Sequence, residues 1–212
     1  MNRFILSGLL FGFSFMINGC SVNESEVNVI NASFSGTWKT VSESDNKTDK
    51  VTVNRISSDG KRFRFETYSE GGSFNSNMNQ LFVFDGEYLH ASQGYSSEFL
   101  GNSQPIEGSE SRKLSKAEIE KMKIWVPKLP GSTKKGPGET ILGRETVIYE
   151  IEQPIIASFV DKSEFWIDKE TGLILRKKTE QMSKRAQKVV RTELMECIEL
   201  NVGPVDESAF SG

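Results

Sequence analysis

The chain has 212 residues with 26 basic and 29 acidic side chains, so its formal net charge is −3 and it lacks the basic excess of a nucleic-acid binder. Its 36% hydrophobic content can fill one sizeable core. One histidine and two cysteines exclude a His-pair metal site and a disulfide framework.

Residues Met1 to Cys20 read as an export signal: Arg3 precedes an apolar run from Phe4 to Ile17. A spanning helix needs about 20 apolar residues and a secretory core about 7 to 15, so the run is a signal and not a stem. The closing Ile17-Asn18-Gly19-Cys20 resembles the lipobox of bacterial lipoproteins, with Asn18 where Ala, Ser or Thr is commoner. That resemblance implies cleavage before Cys20 and lipidation of its thiol. Acyl chains contribute about 0.8 kcal/mol per buried CH₂, and two or more give stable anchoring. The expected organisation is a signal peptide over 1–19, a lipidated N-terminus and flexible tether over 20–35, and one domain over 36–212.

From Gly36 onward the pattern has period two. Val51, Val53 and Arg55 alternate with Thr52, Asn54 and Ile56; after the turn Ser58-Asp59-Gly60-Lys61, Phe63 and Phe65 alternate with Arg62, Arg64 and Glu66. Leu81 to Phe84 and Glu87 to His90 flank Asp85-Gly86, which suits a two-residue hairpin turn. Glu145 to Glu152 places Val147, Tyr149 and Ile151 on one face. Phe165-Trp166-Ile167 turns through Asp168 to Gly172 into Leu173 to Arg176, and a last strand runs from about Val189 to Leu200. Cys197 falls within it and reads as a buried small apolar residue.

One helix is signalled. Ser115-Lys116-Ala117-Glu118 is a capping box, Leu114 and Ile119 have staple spacing, and the helix should stop before Pro127 with Ile119, Met122 and Trp125 on one stripe. Ser92 to Arg112 and Pro127 to Thr140 show neither period and read as long loops.

Catalytic chemistry is sparse. A Ser-His-Asp site could use only His90, which would have to lie within hydrogen-bond reach of a serine and a carboxylate. Ser132-Thr133-Lys134-Lys135 has Ser-x-x-Lys spacing but sits in a Pro/Gly stretch and not at a helix start. The expectation is a non-enzyme with no catalytic residue, metal or cofactor.

Ile141-Leu142-Gly143-Arg144-Glu145-Thr146, Phe165 through Arg176, and Asn201-Val202-Gly203-Pro204-Val205-Asp206-Glu207-Ser208-Ala209-Phe210 resemble the lipoprotein-localisation superfamily: the LolA and LolB carriers, RseB/MucB regulators and related lipoprotein-sorting domains. Leu81 to Tyr88 adds to the likeness. The resemblance implies a mainly β fold, a curved antiparallel half-barrel with one or more helices covering its concave face. It also implies an acyl-chain or other hydrophobic ligand, in lipoprotein or lipid handling. Phe63, Phe65, Trp125, Val147 and Tyr149, on apolar faces, are the candidate lining. The alternative is an RseB-like regulatory or interaction module that uses the two long loops to contact an envelope protein. Either reading puts the protein in the cell envelope, lipid-anchored at a membrane. Ser21 after Cys20 is compatible with the periplasmic face of an outer membrane where the cell has one.

Overall fold

The computed structural model describes residues 32–44, 47–71, 76–97, 109–156 and 158–210. The export signal, Cys20, most of the tether and the middle of the 92–112 stretch lie outside them.

Among the described residues eleven strands and one α-helix follow in chain order. They are β1 (Phe34–Ser44), β2 (Lys47–Ser58), β3 (Phe63–Gly71), β4 (Ser76–Phe84), β5 (Tyr88–Ser97), β6 (Ser109–Lys113), α1 (Lys116–Met122), β7 (Thr133–Pro137), β8 (Thr146–Ile156), β9 (Phe159–Asp168), β10 (Ile174–Ser183) and β11 (Lys188–Val202). All eleven form one curved, open sheet in the order β6-β5-β4-β3-β2-β1-β11-β10-β9-β8-β7, and every neighbouring pair is antiparallel. The expected half-barrel architecture is the one observed.

The topology is two meanders sharing a seam. β1 to β6 steps outward to one edge; the chain then crosses the inner face through α1 and Trp125 to β7 at the other edge; β7 to β11 steps back until β11 pairs with β1. Tight turns make the meanders possible. The Asp59 carboxylate accepts from the N–H groups of Lys61 and Arg62 at 2.9 and 2.6 Å. At the β4–β5 reversal Asp85 N–H donates to the Tyr88 carbonyl at 3.2 Å, so the central residues are Gly86 and Glu87. The expected Asp85-Gly86 pair is therefore shifted by one, because Asp85 serves the turn from its flank through bonds to the N–H groups of Glu87 and Tyr88.

Alternation selects the buried face. Asn54, Ile56 and Ser58 of β2 point inward while Arg55 is exposed. Opposite them stand Phe34, Gly36 and Trp38 of β1 and Phe63 and Phe65 of β3. Ile151, Phe165, Ile167, Met195 and Cys197 continue the core across the seam. Burial pushes the Cys197 thiol up to about 12, as for an inert core residue.

Two expectations are corrected. The helix ends at Met122 and Trp125 lies in the turn beyond it, although the capping box forms. A seven-residue helix has little stability of its own, and the Trp125 carbonyl is drawn instead to the Ile174 N–H at 3.0 Å. The two supposed loops contain strands: β5 extends to Ser97, β6 occupies Ser109–Lys113 and β7 occupies Thr133–Pro137. β6 and β7 are the sheet's edges, where one flank has no partner and apolar alternation is not required.

Candidate functional site

The inner face divides into an apolar half and a polar half. Over the apolar half lies the crossing segment from Leu114 to Leu129, both of which are buried. Trp125, 3% exposed, stands edge-on to Phe34 and Phe63 with centroids 6.0 and 5.7 Å away, and Phe63 stacks on Phe84 at 5.3 Å. Ile119 and Met122 of α1 pack on the same cluster, although no residue of the helix is buried.

The five candidate lining residues are not equivalent. Phe63 and Trp125 are fully packed in the aromatic cluster. Phe65 is half-buried beside Phe82, with ring centroids 6.1 Å apart. Tyr149 and Val147 are half-buried on β8, across the seam from the first three, where Tyr149 pairs with Phe165 and Val147 with Ile167. All five share the inner face; Phe63, Phe65, Trp125 and Tyr149 join one apolar cluster.

Toward the far ends of the strands the same face turns polar. Thr52 and Ser69 are cross-strand partners with hydroxyls 3.1 Å apart, Thr67 donates to Asn54 at 3.0 Å, and Ser163 and Thr179 meet at 2.9 Å. Ser42 donates to Glu193 at 3.3 Å. These pairs are the sheet's form of local side-chain bonding. The period-two pattern marks such positions only as polar, so the band is not distinguishable in sequence from a solvated face.

An open groove of about 630 Å³ lies between α1 and the turns after β2 and β4, lined by Lys61, Asp85, Lys116, Ile119, Glu120 and Lys123 among others. Arg62 at its rim is committed elsewhere, to Asp59 at 2.7 Å, to Glu207 at 2.6 and 2.8 Å, and over the Phe210 ring at 4.5 Å. This clamp fastens the terminal Glu207–Phe210 turn against β3.

His90 meets the distance requirement for a relay. Its Nδ1 is 2.8 Å from Ser111 Oγ and its Nε2 is 3.1 Å from Asp85 Oδ2. The N–H groups of Tyr88 and Glu87, and then His90, hold the Asp85 carboxyl down at about 2. Yet His90 and Asp85 are 37% and 39% exposed, and Ser111 is exposed on an edge strand. Open water there replaces the preorganised donors that stabilise an oxyanion. The trio acts as a cross-strand tie on the outer face, since His90 and Ser111 are register partners. Among the described residues no group of three or more His, Cys, Asp or Glu converges as a metal site would require.

No protein-family model matches the chain, and no curated protein matches it in sequence. Solved structures that are similar include MucB in complex with MucA(peri), at 16% identity and TM-score 0.41 over 86% of this chain; the chain spans 55% of that protein's length. A domain assigned to outer membrane lipoprotein sorting from Vibrio parahaemolyticus is 10% identical, with TM-score 0.30, covering 85% of this chain and 89% of that one. A LolA superfamily protein from Nitrosomonas europaea is 13% identical, with TM-score 0.31, covering 86% of this chain and 91% of that one.

Proposed function

We propose that the chain is a lipid-anchored protein of the cell envelope, held to a membrane through Cys20, whose curved sheet binds a protein partner in a regulatory or interaction role. One observation carries the reading: the apolar half of the inner face is already filled by the protein's own Trp125, packed between Phe34 and Phe63. What remains of that face offers hydroxyl and amide groups. These paired groups keep further donor and acceptor sites, which an acyl chain would cut off from water and a peptide backbone could bond. A photo-crosslinking residue at Thr67 or Thr179, introduced in cells, should trap one discrete protein neighbour. Recovery of none, at either position, counts against the reading. Palmitate-analogue labelling of the unmodified chain and its absence in Cys20→Ala checks the anchor separately.

A second reading rests on a different observation. α1 buries none of its seven residues, and lifting the crossing segment, which Leu114, Trp125 and Leu129 hold down, would uncover Phe63 and Phe65 on one side of the seam and Tyr149 on the other. That surface would suit an acyl chain, at about 25 cal/mol per Å² buried. Lipid copurifying with the protein, or a fluorescent fatty acid displacing the Trp125 signal, would favour it. A lipid-free protein that takes up no fatty acid leaves the interaction module alone.

A further inference from the structure

The chain enters the sheet at Phe34, at the end where Phe34 pairs with Val202; the tips of two neighbouring hairpins, β8–β9 and β10–β11, stand at the opposite end. Hairpin tips are ordinarily built from small polar and turn residues. Here Ile155 and Ile156 are 47% and 58% exposed, and Met182 and Val189 on the adjacent hairpin are 37% and 42% exposed. The register aligns Pro154, Val160, Met182 and Val189 in one cross-strand row on the outer face. The two tips are joined, because the Lys184 N–H donates to the Ser158 carbonyl at 2.9 Å. Lys184, Arg185 and Lys188 are all exposed around them. Neither Gln153 to Val160 nor Gln181 to Thr192 contains an acidic residue. An open groove of about 430 Å³ beside the row is lined by Val160, Met182, Lys162 and Lys184, with Glu152 and Gln187 further along.

We infer that these paired tips dock on the surface of an anionic lipid bilayer. Apolar side chains carried on a protrusion and ringed by cations match that partner on both counts. The isoleucines can enter the boundary between headgroups and acyl chains, and the lysines and Arg185 meet the phosphates. A protein partner would need complementary shape around a projecting tip; a fluid bilayer does not. The inference goes beyond the partner-binding reading, since it concerns the outer face and tips and leaves the inner face free.

The test uses the chain from residue 20, which keeps every described residue, with Cys20→Ser so that no acyl chain contributes. It is floated with vesicles of phosphatidylglycerol and phosphatidylcholine in equal parts, and with phosphatidylcholine alone. Binding to the anionic vesicles only, weakened in about 0.5 M salt, is expected. Ile155→Ser with Ile156→Ser, and separately Lys184→Glu with Arg185→Glu, should each lower partition about tenfold or more at unchanged melting temperature. An Ile156→Trp variant should show a blue-shifted emission on the same vesicles. No binding of the unmodified tips to anionic vesicles, equal binding to neutral ones, variants that bind as well as the parent, or a crosslinker at Ile156 that captures protein in place of lipid would each overturn it.

Discussion

At Gly36, β1 passes under the ring of Trp38. A Cβ there would lie 2.8 Å from that ring and 2.8 Å from the Glu199 carbonyl oxygen. The ring has nowhere to go, being 1% exposed with its indole N–H bonded to the Ile174 carbonyl at 2.8 Å. Gly36→Ala should therefore destabilise by about 1–3 kcal/mol, read as a lower urea midpoint. An unchanged midpoint would mean that the ring moves freely. A second residue-scale expectation concerns acid. The Asp85 carboxyl sits below its ordinary value, near 2, because backbone N–H groups and His90 bind its charged form. A depressed carboxyl contributes stability above its unfolded value near 3.8 and loses it as pH falls toward 2. The stability gap between the parent and Asp85→Ala should accordingly shrink between about pH 5 and pH 2.5, and a constant gap in urea titrations would count against the linkage. His90 shows why sequence alone does not disclose such a tie. Its partner Ser111 is 21 residues away, inside a stretch whose composition gives no strand signal, and only the register brings them together.

Elements with one buried face were legible because alternation and burial coincide in them. Val147, Tyr149 and Ile151 share the inner face of β8, and Phe165 to Arg176 turns as its Asp and Gly predict, with Asp168 N–H donating to Leu173 at 2.9 Å. The capping box was equally readable, since its bonds are local: Glu118 N–H donates to Ser115 Oγ at 3.3 Å and Ser115 N–H to the Glu118 carboxylate at 2.9 Å. Ser115→Ala should cost about 1 kcal/mol and speed exchange of the Ile119 amide, which donates to the Ser115 carbonyl. Edge strands were illegible for a physical reason. They pair on one side only and carry residues that discourage further pairing, here Lys134, Lys135 and Pro137. Replacing Lys135 with Val and Pro137 with Thr should raise light scattering at high protein concentration. A variant as monodisperse as the parent would mean that other features guard the β7 edge.

At the scale of the whole molecule, the two meanders must be held as one body, and the candidate site depends on it because the inner face spans their seam. β1 and β11 supply a ladder from Phe34 with Val202 to Ser44 with Arg191. A second fastening uses a single residue: the Ile174 carbonyl accepts from the Trp38 indole at 2.8 Å, and the Ile174 N–H donates to the Trp125 carbonyl at 3.0 Å. First meander, crossing segment and second meander thus meet at Ile174. This junction also explains why no contiguous stretch of sequence announces the site: Trp38, Trp125 and Ile174 are brought together by long-range pairing, which forms late and slowly in β folds. Trp38→Phe keeps most of the apolar volume but leaves a buried carbonyl without its donor, a loss of about 1–3 kcal/mol. If the halves are one cooperative unit, far-ultraviolet circular dichroism and tryptophan fluorescence will report the same, lower urea midpoint for the variant. Two separated transitions would show instead that each meander unfolds on its own, and a binding face shared between them could then open at the seam.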